Sequence, residues 1–183
     1  FMEEATKLTA GITDTERRFI DSMSAYVKAD PAKKKERADA YIKKLEQLCI
    51  DYPENLEVKA FLAIMMYSNR SQSGGTASYV ALDAIIGQIL AKNPMHPCHH
   101  YRIHLWDYKK PTLALNSAIL CGQSTPGIAH MWHMPGHIFS RVKRYDDAVW
   151  QQEASARVDH SHMMRDRVLP DQLHNYAHNL SLT

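Results

Sequence analysis

Trp132-His133-Met134-Pro135-Gly136-His137-Ile138-Phe139, followed by Tyr145-Asp146-Asp147-Ala148 and a run to Val158, is the stretch whose reading decides the fold. Apolar residues recur there at spacings of three and four, the period of a helix that buries one face. The spacing predicts helices over 128–143 and 146–160, one helix–turn–helix unit. The same pattern extends outward in both directions. Thr13 with Glu16 forms a capping-box pattern ahead of Phe19, Ile20, Met23 and Tyr26, and Asp30-Pro31 reads as an N-cap with proline in the first turn. Helices are therefore expected near 14–29, 31–51, 55–68, 78–92, 97–107 and 111–122 as well, with a last one beginning at Pro170. No Val/Ile/Thr-rich alternating run is bounded by hairpin turns, so the fold class is all-α.

Breaks fall at Pro53, Pro94, Pro126 and His160, at separations of 41, 32 and 34 residues; the longest contains the Gly-rich loop at 71–76. A helical pair recurring about every 34 residues is a unit that cannot bury its own apolar face and does so by stacking on its neighbours. The unit over 132–160 resembles the tetratricopeptide consensus of Trp, small residue and aromatic, then aromatic and alanine in the second helix. Residues 98–126 keep the register through Ala114, Ala118 and Pro126, while 37–53 and 55–94 match it more loosely. This chain departs from the consensus at Pro135, where leucine is usual, at Gln152, where an aromatic is, and at His160, where the closing proline belongs. The resemblance implies a right-handed solenoid of antiparallel helix pairs with a concave groove lined by first helices. It says little about chemistry.

Composition bounds the function. The 183 residues fit one helical-repeat domain, split into a histidine-free half at 1–95 and a histidine-rich half at 96–183. The chain opens on Phe1-Met2 and stops inside a patterned segment, as expected of a fragment of a longer array. With 22 basic against 20 acidic residues the formal charge is +2, which argues against a nucleic-acid binder acting through bulk charge. No stretch is long and apolar enough to span a membrane, so a soluble protein is expected, with cytoplasm and bacterial periplasm both open. Cys49, Cys98 and Cys121 are odd in number and widely spaced, the pattern of reduced thiols rather than a disulfide framework.

Histidine carries the chemical signal. Eleven occur, all between His96 and His178. Three segments share the form H-x3-H: His100 with His104, His133 with His137, and His174 with His178. Residues four apart stand one turn above each other on a helix, so both imidazoles of a pair can reach one ion. Counting His96 with His100, four i,i+4 pairs occur, where about 1.4 would fall by chance. The three segments lie on first helices of successive pairs, at offsets of 33 and 41. Under the tetratricopeptide resemblance those faces share one groove. His100, His104, His133, His137, His174 and His178 are thus the candidate ligands for zinc, iron or copper. The glutamate of the HExxH zinc-protease pattern is missing from every copy.

Pro135 interrupts this symmetry, since proline inside a helix lacks its N–H and crowds the carbonyl four residues back. Either the helix kinks or it begins there, leaving His130 and His133 on an irregular lead-in. Asp159, His160 and Asp171 are candidates for a further ligand or for orienting an imidazole, and Tyr101 and Arg102 for contacting a bound ligand. Met131, Met134, Met163 and Met164 lie near histidines and raise copper, though methionine at helical spacing also fills cores. Two functions remain open. One is a metal-binding helical-repeat protein, acting through activated water or dioxygen on a small molecule if it is catalytic. The other is a scaffold that binds a peptide or partner protein in its groove.

Overall fold

The computed structural model describes residues 1–8, 10–69, 78–173, 176, 178 and 179. The Gly-rich stretch at 71–76 and His174 lie outside the described residues. Among those described, the secondary structure is helical with no strand: α1 (Met2–Lys7), α2 (Asp14–Lys28), α3 (Lys34–Asp51), α4 (Leu56–Asn69), α5 (Tyr79–Lys92), α6 (His99–Trp106), α7 (Leu115–Ser124), α8 (Ala129–Arg141) and α9 (Tyr145–Asp166). Short 3-10 turns occupy Pro111–Ala114 and Pro170–Gln172. The chain divides into two compact units, Phe1–Ile89 and Leu90–Thr183. All eleven histidines belong to the second.

The first unit is built on α2, α3 and α4. Thr13 caps α2 in the expected way: its Oγ1 accepts from the Glu16 N–H at 3.2 Å, and the Glu16 carboxylate accepts from the Thr13 N–H at 2.7 Å. Tyr41, Leu45 and Leu48 recur at helical spacing on α3 and close over Val58 and Leu62 of α4, with Phe19, Met23 and Tyr26 of α2 packed alongside. The expected helix start at Pro31 is corrected. Asp30 does cap, but its carboxylate accepts from the Ala32 N–H at 2.9 Å in a turn, and α3 begins only at Lys34.

In the second unit α6 packs on α7, α7 on α8 and α8 on α9, and α6 also reaches α8. Two features make these approaches close. A Cβ at Gly122 of α7 would collide with the Trp132 ring, so glycine lets α8 lay its tryptophan flat on α7. The Trp132 indole N–H donates to the Pro126 carbonyl at 3.0 Å. At the far end, the buried Asp107 carboxylate accepts from the Arg141 Nε at 2.8 Å, pinning the end of α6 to the end of α8.

One expected break fails here, and an open alternative at Pro135 is decided. His160 is no break, because it retains a backbone N–H and α9 runs through it to Asp166, stopping at Arg167 in the left-handed region (φ 55°). Pairs such as Arg157 with Glu153 at 3.1 Å and His162 with Asp166 at 2.7 Å, each four apart, support the extension. Nor does a helix begin at Pro135, which sits inside α8. The expected helix from Pro170 opens instead with a 3-10 turn, Pro170–Gln172, and of the described residues after it Tyr176, His178 and Asn179 are helical. Cys98 and Cys121 are buried free thiols, and Cys49 is a partly exposed one.

Candidate metal centre

Because α8 is continuous from Ala129, His130, His133 and His137 all project from one rigid element. α6 carries His100 and His104 one turn apart, and its contact with α8 brings them against His130. His100 Nε2 lies 3.0 Å from His104 Nε2 and 3.1 Å from His130 Nε2. Further along the same face of α8, His137 Nε2 lies 2.9 Å from His133 Nε2, and the His178 ring centroid stands 5.0 Å from that of His133. Among the described residues two clusters result, His100–His104–His130 and His133–His137–His178, and within each all the ligand atoms lie within 4.8 Å of one another. Around an ion with metal–nitrogen bonds of about 2.0–2.1 Å, ligand nitrogens stand about 2.9 Å apart at right angles and about 3.3 Å apart in a tetrahedron. The closest nitrogen pairs in both clusters are near the lower of these values.

The protonation states suit ligation. Burial drives the His100 imidazole down to about 3, and the neighbouring His104 and His130 rings add to the push. Burial also lowers His130, with His133 beside it contributing. For His133 and His137 burial is again the largest cause, offset in part at His133 by the hydrogen bond it donates to Gln152. Neutral imidazole keeps a lone pair for a metal; imidazolium has none.

Gln152 explains two departures from the repeat consensus at once. Its Nε2 donates to the His133 carbonyl at 3.4 Å, and a carbonyl can only accept. The amide oxygen must therefore face the ring, where it lies 2.8 Å from Nδ1. Nδ1 carries the proton, and Nε2 is left bare toward His137 and His178. An aromatic at 152 could not do this. Gly136 is the matching piece, since a Cβ there would strike the Gln152 amide. Gln152 was noted in the sequence only as a departure; its role depends on which residue it faces across the α8–α9 contact.

Not every histidine joins. His99 Nε2 donates to the Pro94 carbonyl at 2.8 Å and its Nδ1 accepts from the Ser117 hydroxyl at 3.0 Å, so it is satisfied at both ends as a structural residue. His96 Nδ1 accepts from the Cys98 N–H at 3.0 Å, and the His96–His100 pair is not brought to a shared point. His160 is exposed on α9 and Asp171 is exposed in the terminal 3-10 turn, away from both clusters. Asp159 is buried, 8% exposed, and its Oδ2 has no hydrogen-bond partner. Burial raises its carboxyl, against the pull of His162 and His133. Tyr101 and Arg102 are half-buried on α6, the Tyr101 ring 5.8 Å from that of His100. Met131, Met134 and Met163 belong to the buried core.

Among the described residues, clefts reach both clusters. One of about 290 Å³ is lined by Gly136, His137, Ser140, Arg141, Gln152 and His178. The other, about 490 Å³, runs between Pro126–His130 and Val158–Arg165 and has His130 and Asp159 in its wall. Sequence spacing did not single out His130 as a candidate, because its hydrogen-bond partner His100 lies 30 residues away on α6, outside any i,i+4 template.

A solved structure named MamA MSR-1 C2 superimposes on the chain with a TM-score of 0.57 at 15% identity, covering 87% of this chain and 84% of that one. The chain has a tetratricopeptide-like helical fold. No protein-family model and no curated protein sequence matches it. Among the described residues no helix is long and apolar enough to cross a membrane.

Proposed function

We propose that this helical scaffold is a transition-metal-binding protein, its ions held by the imidazoles of α6, α8 and His178. One observation carries the reading: Nε2 atoms of buried and half-buried histidines converge at 2.9–3.1 Å in two places. Without an ion each close contact takes one proton shared between two imidazole nitrogens. An ion would instead bond to the lone pairs of all three rings of a cluster. The preset tautomer of His133 supports the same reading, because holding a ligand ring by its other nitrogen is how proteins orient metal-bound histidine. Zinc, iron and copper all take imidazole. The test is elemental analysis of full-length protein prepared without an affinity tag, with one or more transition-metal ions expected per chain. Metal-free protein that also fails to take up zinc or copper on titration rejects the proposal.

A second reading, binding of a partner protein, rests on the fold likeness and on a separate surface. Trp150, 57% exposed, meets Trp132 edge to face at 5.8 Å beside a cleft lined by Pro126, Glu153 and Arg157. Exposed tryptophans flanked by charge are common anchors at interfaces. Trp150→Ala would then weaken a partner complex and leave the metal content unchanged.

A further inference from the structure

Resting on the reading of the clusters as metal sites, we propose that the second unit holds a pair of ions and that the pair it is built for is monovalent copper. α8 makes the pairing. His130 and His133 are three residues apart on it, one in each cluster, with ring centroids 5.7 Å apart and planes inclined by only 24°. Filling one cluster therefore places a cation next to the ligands of the other.

Charge then decides which ion suits the pair. All six candidate ligands are imidazoles, which bring no negative charge, and among the described residues no thiolate or carboxylate belongs to either cluster. The Asp107 carboxylate beside α8 is already committed to Arg141, and Asp166, at the end of α9, to Arg165 and His162. Asp159 remains, buried in the wall it shares with His130, with an oxygen that meets no donor. Two divalent ions would set four positive charges against one carboxylate in a partly dry interior, where unbalanced charge is costly. Two cuprous ions bring two. Cuprous copper also accepts three ligands without a fourth, whereas zinc with three protein ligands completes its tetrahedron with water or another group.

The experiment is an anaerobic titration of the full chain with Cu(I) against bathocuproine disulfonate, and a parallel titration with Zn(II). Two Cu(I) per chain are expected, against one tightly held zinc and a second bound at least tenfold more weakly. One copper per chain, or two zinc ions of equal affinity, overturns the proposal while leaving the metal-site reading standing. Failure to bind either ion rejects the metal-site reading itself. His104→Ala and His137→Ala disable one cluster each and should each retain one Cu(I), with helicity checked by circular dichroism. A folded variant that loses both ions would mean one merged site and would overturn the pair; should one variant fail to fold, the other carries the test. Asp159→Asn should weaken the second zinc step further and leave two Cu(I) bound. An unchanged zinc profile would remove Asp159 as the balancing charge.

Discussion

Acidification of the metal-free protein should destabilise the second unit well before its carboxylates titrate. His100 has an ordinary pKa of 6.5 in the unfolded chain and about 3 in the fold. Between those values the unfolded state holds a proton that the folded state refuses, so stability is full above pH 6.5 and is lost as pH falls. The slope for one such group approaches 1.4 kcal/mol per pH unit. Integrated from pH 7 to 5 this gives about 2 kcal/mol, or about 1–2 kcal/mol once the water that still reaches the half-buried ring is allowed for. His130, His133 and His137 are shifted in the same direction and add to the loss. Asp159, shifted upward, opposes it as pH falls toward its own range. The assay is urea unfolding of chelator-stripped protein at pH 7 and pH 5, followed by tryptophan fluorescence. Trp106, Trp132 and Trp150 are the three tryptophans, and all lie in the second unit. His100→Gln should lose about 1 kcal/mol less than the parent over that interval. Equal stability at the two pH values, or a parental slope in His100→Gln, would refute the buried, neutral cluster.

Other substitutions probe the supports. Gln152→Leu removes the acceptor that fixes the His133 tautomer and should lower metal affinity about 10–100-fold in a competition titration, with the helical signal retained. Gly122→Ala drives a methyl group into the Trp132 ring and should cost about 1–3 kcal/mol in the fluorescence-detected transition. In the first unit, Leu45→Ala empties a fully buried site and should cost about 2–5 kcal/mol, seen in thermal unfolding by far-ultraviolet circular dichroism.

Much of the fold was legible because helices announce themselves locally. Thr13 and Glu16 satisfy each other's backbone as their spacing implies, and the Tyr41–Leu45–Leu48 stripe becomes a core face. Boundaries were harder, because Asp30 caps a turn as readily as a helix and His160 has nothing that stops one. The H-x3-H spacing pointed to α6 and α8, where His100 meets His104 and His133 meets His137, since that geometry is internal to a helix. His130 and Gln152 were beyond that reach. Their roles arise where α8 meets α6 and where α8 meets α9, and residues 19 or 30 positions apart leave no periodic trace.

The grip of Gln152 on His133 has a kinetic side. A ring that must first shuffle its proton from one nitrogen to the other delays any incoming ion by the time that exchange takes with solvent. His133 has already made the choice, held by an amide that never ionises between acid and alkaline conditions. Capture at that position should run at the pace of diffusion into the cleft, indifferent to the concentration of buffer acid.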